Sequence, residues 1–406
     1  MITLLTINSV ITATMDEGKQ TLLDLLEKIA KEQKYVNNTV DLKAVSAGGS
    51  NITSALFLST IRANDKPDLK LFAKVALLSD HVRKHSPMRC QFTTELYFYT
   101  KLKKQYERIQ DKHNVLEDHR VRMPKLYGCC DKYLSETLVL EDLVAQGFEN
   151  FDRQQPADLE YMTAAIDLMA KFHALSLAFH NDDPVSFKEA SDTLTMDISK
   201  IEALVPVMKP KAMANALAAT EGENREKLEK FFKQEPCLFV KFMDTFRSKK
   251  RNILVHGDFK PNNLMHRRRN GKLEIVLMDF QLVLDGDPLR DLLYFIFTAT
   301  DEAFRRSHYH AILDLYHERL SEALRRFQID VETVYSESTY RAQLEEYSMV
   351  GLTIAVILLP LVLVEEEDIP NFDDDYKMTD FVVQGSKLYK ERLNGVINNY
   401  VEWGLL

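Results

Sequence analysis

Two hydrophobic patterns meet near residue 140 of the chain. Before that point, apolar residues alternate with polar ones or form short β-branched runs, which is typical of strands. An opening helix is indicated by the apolar stripe of Leu22, Leu25, Leu26 and Ile29. The later runs predict strands near 40–47, 53–62, 69–77, 121–128 and 136–142.

After residue 140, apolar residues recur every three or four positions, as on one face of a helix. A sheet-rich part followed by a helical part is an α+β arrangement, and its seam forms a cleft. We therefore expect two lobes, an N-terminal antiparallel-sheet lobe at 1–140 and a larger helical lobe at 141–406. The pattern predicts helices near 157–180, 222–248, 288–300, 302–327, 338–364 and 381–399.

Composition narrows the class of protein. Of the 406 residues, 45% are apolar and 28% charged, as expected for a folded globular chain. A net charge of −9 with a pI near 5.7 provides no basic field for a phosphate backbone, so nucleic acid is not expected as a partner.

Cysteine content and hydropathy bear on the compartment. Four cysteines in so long a chain form neither a disulfide framework nor a zinc spacing, which favours the reducing cytosol. The apolar residues 1–15 lack the basic region that begins a signal peptide. Residues 348–364 are 17 uncharged positions including Pro360, short of the roughly 20 that a bilayer span needs. We interpret them as a buried helix and expect no membrane association.

The strongest local signal is HGDFKPNN at 256–263, followed by MDFQ at 278–281. Between them stand Asn270 and Gly271, the pair most favoured in a two-residue type I′ hairpin, because both positions need positive φ. A hairpin closed by this turn sets Asn263 opposite Met278, diagonally beside Asp279. Two oxygen ligands from separate segments then converge.

This combination of residues suits phosphoryl transfer. Magnesium takes one or two hard oxygen ligands from a protein, here Asn263 and Asp279, and the rest from water and phosphates. Asp258 enters the same hairpin and could accept a proton from an attacking hydroxyl. Taken singly, each of these residues is also an ordinary turn or cap residue. Their combination and spacing favour the functional interpretation.

These motifs resemble the catalytic and metal-binding loops of the aminoglycoside and choline kinase superfamily, and most of all those of the ecdysteroid kinase-like family. The resemblance extends through VLMDFQLVLDGDPLRDLLYF. It implies a protein-kinase-like two-lobed fold that uses ATP and Mg²⁺. It further implies that Asp258 is the catalytic base, Asn263 and Asp279 hold magnesium, Asp291 braces the catalytic loop, and His256 supports that loop structurally.

A lysine and a glutamate in the N-terminal half fit the same expectation. In the strand near 69–77, alternation puts Lys74 on the face opposite Leu71 and Val75, as a lone cation. Glu95 falls inside the apolar stripe of a helix that includes Phe92. Because a buried carboxylate needs a partner, we expect Lys74 and Glu95 to pair. In the kinase-like fold this pair holds the nucleotide's α and β phosphates.

Two further segments are assigned to nucleotide binding by position. Gly48, Gly49 and Ser50 stand between two predicted strands, where backbone amides could approach phosphates, although any hairpin may carry two glycines. The resemblance supports a phosphate-covering loop there. The backbone from Glu141 to Leu143, at the connection between the lobes, is expected to meet the adenine.

Two polar residues are interpreted structurally. His173 lies on an apolar helical stripe and is expected to be a hydrogen-bonded core histidine. Lys260 is interpreted first as a solvated loop lysine, with contact to the γ-phosphate as the alternative.

The sequence therefore predicts a phosphotransferase that acts on the hydroxyl of a small apolar molecule, with an ecdysteroid or related secondary alcohol as the leading acceptor. Tyr294, Phe295, Phe297 and residues 349–364 are candidates for an apolar acceptor wall, although the core interpretation is favoured for any one of them taken singly. A kinase of a cationic acceptor such as choline or an aminoglycoside, and a catalytically silent binding protein, stay open as alternatives.

A protein kinase is less favoured than these. Gly257 stands where protein kinases usually have arginine, and Gln281 replaces the glycine of DFG. Only eleven residues lie between Asp279 and Asp291, too few for an activation segment and a peptide platform.

Overall fold

A computed structural model of the protein describes residues 2–45, 54–76, 80, 83, 91–234, 238–247, 252–364 and 385–406. Its strands are β1 (Thr39–Val45), β2 (Ser54–Ala63), β3 (Lys66–Ala76), β4 (Leu126–Cys130), β5 (Thr137–Glu141), β6 (Glu149–Asn150), β7 (Leu254–Val255), β8 (Leu264–Arg269), β9 (Lys272–Leu277) and β10 (Leu284–Asp285).

The first five strands form one antiparallel sheet in the order β1-β2-β3-β5-β4. The helix Ile2–Glu32 covers one face of this sheet, and its Leu22 and Leu26 pack with Leu71 and Ala73 of β3. The alternation along β3 leaves Lys74 on the other face of the sheet, as predicted. This face lies toward the helical part of the chain.

The second part is mainly helical, so the predicted α+β arrangement is confirmed. The helices are α1 (Ile2–Glu32), α2 (Gln91–Tyr97), α3 (Lys103–Lys112), α4 (Leu159–Asp182), α5 (Pro184–Thr193), α6 (Ile198–Ala218), α7 (Gly222–Gln234), α8 (Leu238–Asp244), α9 (Pro288–Ala299), α10 (Glu302–Arg325), α11 (Val331–Val334), α12 (Glu337–Glu346), α13 (Val350–Ile357), α14 (Leu359–Val362) and α15 (Lys387–Glu402).

Several predicted boundaries are wrong for identifiable reasons. The single helix predicted at 338–364 is three segments, and the last begins at Leu359 with Pro360 in its first turn, where a missing N–H is tolerated. Helix α6 was not predicted because Pro206 and Pro210 lie inside it. The helix predicted at 222–248 is described as α7 and α8, ending at Asp244. Helix α5 was also missed, and β4 begins only at Leu126.

The core of the helical part is built around α4. Its apolar stripe is almost inaccessible, and the helix packs against α10. Within the described residues, α4 is the helix that is long enough and apolar enough to span a membrane. However, 78% of its most apolar stretch is buried inside the protein, as in a core helix. The apolar segment near 348–364 likewise forms buried helices, as predicted.

The predicted hairpin is confirmed with its register. Strands β8 and β9 pair from Leu264 opposite Leu277 to Arg269 opposite Lys272. The turn residues Asn270 and Gly271 have φ of 52° and 78°. Met278 donates its N–H to the carbonyl oxygen of Asn263 at 2.9 Å, so the ladder continues to the predicted pair of functional residues.

The turn predicts a stability difference between two adjacent substitutions. Gly271→Val forces a β-branched residue into positive φ, and we expect the free energy of unfolding to fall by about 1–2 kcal/mol. Asn270→Gly keeps a residue that adopts this conformation readily, and its change should stay within about 0.5 kcal/mol. Denaturant unfolding measures both. Equal losses for the two variants would contradict the positive-φ explanation.

Candidate active site

A cleft of about 480 Å³ lies between the inner face of the sheet and the β8–β9 hairpin. Apolar side chains from β2, β3 and β5 form one wall, and polar side chains of the hairpin and its flanks form the other. The lining residues include Leu56, Phe72, Lys74, Glu95, Leu140, Glu141, Leu143, Asn262, Asn263, Met278 and Asp279.

The predicted pair of Lys74 and Glu95 is present in this cleft. The Lys74 Nζ atom lies 2.8 Å from Oε2 of Glu95 and 2.6 Å from Oδ1 of Asp279. The side chains of Lys74 and Glu95 are 6% and 2% exposed. One lysine therefore joins the sheet, helix α2 and the end of the hairpin, and it does so between two carboxylates.

Sharing one cation between two anions shifts the pKa of all three groups. Burial by itself would lower the pKa of Lys74, but the charges of Asp279 and Glu95 outweigh it and raise the pKa. For Glu95, burial outweighs the attraction of Lys74, and the charge of Asp279 adds to it, raising the pKa to about 7. For Asp279, burial is outweighed by Lys74, and its pKa is lowered.

Asp258 lies on the buried loop that leads into the hairpin. Its Oδ2 atom accepts hydrogen bonds from Nδ2 of Asn263 and Nζ of Lys260, each at 2.9 Å. The hydroxyl of Tyr294, on α9, also hydrogen-bonds to this carboxylate. Asn263 Nδ2 additionally donates to the Asp258 carbonyl at 2.8 Å, so the amide nitrogen of Asn263 is turned toward Asp258.

Asp291 holds the backbone of this loop, as the resemblance implied. Its two carboxylate oxygens accept the N–H groups of His256 at 2.7 Å and Gly257 at 2.8 Å. His256 in turn contacts the Met278 carbonyl through Nε2 at 2.9 Å, linking the loop to the hairpin.

His173 is the buried, hydrogen-bonded histidine that was predicted, but its partners were not foreseen. Its Nε2 lies 3.1 Å from Oδ2 of Asp291, and its Nδ1 lies 2.8 Å from the Tyr316 hydroxyl. The sequence carries one signal for this connection: a histidine within an apolar stripe must find a polar partner in the core.

The environment of Lys260 differs from the one expected from the sequence. Its side chain is only 18% exposed and is paired with Asp258, so the interpretation as a solvated loop lysine is wrong. Burial would lower its pKa, but the charge of Asp258, with that of Asp279, raises it, so the lysine remains a cation beside Asp258.

Two residues beside the loop that carries Asp258 were not predicted as site residues. Tyr294 was considered only as part of an apolar wall, yet its hydroxyl contacts Asp258. Arg290 was not singled out, and it donates two hydrogen bonds to the carbonyl of Gly257. The other wall candidates Phe295 and Phe297 are 0% and 1% exposed and belong to the core.

The connection between the lobes and the glycine segment complete the list of predicted site residues. Glu141, Asp142 and Leu143 line the cleft where β5 ends. The Glu141 carboxylate is engaged by the backbone N–H of Lys125 at 2.9 Å and by Gln146 at 2.6 Å. Gly48, Gly49 and Ser50 lie outside the described residues.

Comparison with protein families gives one match, to the ecdysteroid kinase-like family over residues 48–329. The chain belongs to this family. The matched region contains every residue of the cleft discussed above. A comparison with curated protein sequences finds no match.

Two solved structures resemble this ecdysteroid kinase-like chain at low identity. One is a microcompartment-associated aminopropanol kinase, at 10% identity over 94% of this chain and 99% of the other, with a TM-score of 0.47. The second is an aminoglycoside phosphotransferase from Alicyclobacillus acidocaldarius, at 12% identity over 89% and 90% of the chains, with a TM-score of 0.39.

The shared lysine predicts a pH dependence of stability in the ligand-free protein. Glu95 has a folded-state pKa of about 7 and an ordinary value of 4.5. Its protonation therefore favours folding most fully below pH 4.5, and this contribution is lost as pH rises through 7. The loss is on the order of 3 kcal/mol at most. The lowered pKa of Asp279 acts below pH 4, outside this window.

Unfolding free energies measured from pH 5 to 8 check this prediction. Stability of the wild type should decrease over that range, and Glu95→Gln, which stays neutral, should lack this decrease. Glu107→Gln is the matched control, since Glu107 is an exposed carboxylate on α3 paired with Lys103. The same slope in wild type and Glu95→Gln would contradict the assignment.

Proposed function

We propose that this ecdysteroid kinase-like protein transfers the γ-phosphate of ATP to a hydroxyl of a small apolar molecule. The observation that carries the proposal is that Lys74, Glu95, Asp279 and Asn263 line one cleft. Asp258 is hydrogen-bonded to Asn263 beside it. A buried set of one lysine, one base candidate and two oxygen ligands has the parts that phosphoryl transfer requires.

In this proposal the nucleotide lies along the inner face of the sheet. The adenine packs between apolar side chains such as Leu56 and Met278 and meets backbone groups between Glu141 and Leu143. Lys74, held by Glu95, contacts the α and β phosphates. From the sequence alone, we propose that backbone amides of Gly48, Gly49 and Ser50 bind the phosphates.

The residues present fit a magnesium site. Asn262 lines the cleft, and its buried side-chain oxygen has no hydrogen-bond partner. The side-chain nitrogen of Asn263 donates to Asp258, so this contact does not use the side-chain oxygen of Asn263. The Asp279 oxygens contact Lys74 and Gln281 and keep further acceptor capacity. No group of three or more His, Cys, Asp or Glu suited to a metal occurs in the described part of the chain. Bound Mg²⁺ would neutralise charge on the transferring phosphate.

Asp258 is the proposed general base. Its carboxylate is held by Asn263 and Lys260, so it is oriented before an acceptor arrives. It would accept the proton of the acceptor hydroxyl as that oxygen attacks the γ-phosphorus and ADP leaves. Lys260 lies where it could move from Asp258 to the γ-phosphate and offset its negative charge.

For the acceptor we propose an ecdysteroid or a related secondary alcohol, on the strength of the family. The acceptor is a small molecule rather than a nucleic acid or a membrane. We propose the cytosol as the compartment, because the chain is acidic and has few cysteines.

A transfer assay over a panel of acceptors tests the function. Steroid alcohols, amino alcohols, choline, aminoglycosides and sugars are offered with labelled ATP and Mg²⁺, and we expect phosphate transfer to at least one steroid alcohol. Asp258→Asn keeps the shape and removes the base, so it should lose at least about 10²-fold in turnover while still binding ATP.

The panel separates the alternatives. Turnover of choline or an aminoglycoside alone would overturn the apolar acceptor and leave the kinase proposal standing. ATP binding without transfer to any acceptor would favour a catalytically silent binding protein. If Asp258→Asn kept more than about a tenth of the wild-type rate, Asp258 would not be the base.

The metal assignment predicts unequal effects of two substitutions. Asp279→Ala should weaken magnesium-dependent ATP binding more than Asn263→Ala, because a carboxylate contributes charge and an amide does not. Calorimetric titrations of ATP with and without Mg²⁺ measure both. Identical titrations for wild type and Asp279→Ala in both conditions would remove Asp279 from the metal site.

A further inference from the structure

Gly257, directly before the proposed base, is held on both sides by two consecutive residues of α9. Asp291 accepts its N–H at 2.8 Å. Arg290 donates to its carbonyl oxygen from Nε at 3.0 Å and from Nη2 at 2.8 Å. The carbonyl that Arg290 binds belongs to the peptide unit that ends at the nitrogen of Asp258. Because that unit is planar, its orientation determines how the Asp258 backbone enters the cleft.

The conformation at Gly257 explains why such a clamp matters. Its φ is +80°, and an added Cβ would lie 2.1 Å from the carbonyl oxygen of Leu282, so only glycine fits. Glycine has the largest conformational freedom of any residue. Position 257, directly before Asp258, must therefore be glycine, the most flexible residue type. Because glycine does not fix its own backbone conformation, contacts from outside the loop must do so.

Arg290 is itself fixed by aromatic rings. Its guanidinium carbon lies 3.4 Å from the ring centroid of Phe246 and 6.0 Å from that of Phe242. Phe242 belongs to α8, and Phe246 follows it in the segment that leads toward the catalytic loop. A cation over an aromatic face is attracted by the negative charge density of the ring, most strongly where water is excluded. The rings thus hold the guanidinium plane in position against Gly257.

Burying the charged side chain of Arg290 costs free energy, which indicates a role other than stability. The residue is 5% exposed, and the Gly257 carbonyl is its one hydrogen-bond acceptor within the described part of the chain. Burial lowers its pKa to about 10, although the neighbouring Asp291, Tyr294 and Asp258 oppose this. A buried cation without a carboxylate hydrogen bond is unfavourable for stability alone.

We propose that Arg290, stacked on Phe246, is a positioning residue for the phosphoryl transfer proposed above, because it fixes the Gly257 carbonyl and so orients Asp258. The inference rests on the proposed function for its kinetic part. The positioning of the loop itself can be measured without turnover.

Two substitutions separate geometry from charge, and a third residue provides the control. Arg290→Met removes charge and donors, whereas Arg290→Lys keeps the charge but not the two-pronged contact. Arg305 is a comparable buried arginine: it donates to the Thr300 carbonyl, lies 5.6 Å from the Phe297 ring, and within the described part of the chain makes no hydrogen bond to residues 256–263. Arg305→Met therefore reports the general effect of removing a buried arginine.

Hydrogen–deuterium exchange of the segment 253–263 is the first measurement. We expect Arg290→Met to increase exchange there at least about tenfold relative to Arg305→Met. Exchange equal to that of the control would overturn the proposal, whether or not the protein turns over any acceptor. Increased exchange in a protein with no transfer activity would support the positioning role and overturn only the proposed function.

Kinetics on an accepted substrate provide the second measurement. We expect kcat to fall about 10- to 100-fold in both Arg290 variants, with KM for ATP changed less than about threefold. A loss in Arg290→Lys as well as in Arg290→Met would identify the two-pronged contact with Gly257, rather than the charge, as the feature that positions the loop. A kcat no lower than that of Arg305→Met would contradict the proposal.

Discussion

Lys74 is shared between the buried carboxylate of Glu95 and the partly exposed carboxylate of Asp279, and the arrangement of the cleft depends on this contact. Glu95 comes from the helix after the sheet and Asp279 from the end of the hairpin, so a single ammonium group joins three separate segments. One cation between two anions leaves a negative charge that the three groups do not balance. Burial, to which the charge of Asp279 adds, raises the pKa of Glu95, and the unbalanced charge makes the cleft a favourable place for a further cation.

A second constraint acts from the helical side through buried hydrogen bonds. Tyr316 on α10 contacts His173 on α4, His173 contacts Asp291 on α9, and Asp291 holds the backbone of the catalytic loop. Each group is buried and needs a partner, so the chain of contacts has few alternative arrangements. The loop that carries Asp258 is thereby coupled to the packing of α4 and α10, the two longest described helices of the helical part.

The surroundings of Asp258 are more polar than the apolar helices nearby suggested. Lys260 and Tyr294 both contact its carboxylate, while Phe295 and Phe297 are part of the core. An acceptor hydroxyl would therefore meet a hydrogen-bonded, charged environment at the reacting end. Apolar recognition of the rest of the acceptor would have to come from other surfaces of the cleft.

Local patterns in the sequence determined the features that depend on neighbouring residues. Strand alternation put Lys74 on the cleft face, a helical stripe put Glu95 in the interior, and the Asn-Gly turn set the register that brings Asn263 beside Asp279. Only the tertiary structure decided which distant partner each buried group meets. The contacts of His173 with Asp291, and of Arg290 with Gly257 and Phe246, join segments dozens of residues apart. Helix α6, with two internal prolines, also forms against its local preference. Periodicity specifies which face of an element is apolar, whereas the packing of remote elements decides what covers that face and which polar groups must pair beneath it.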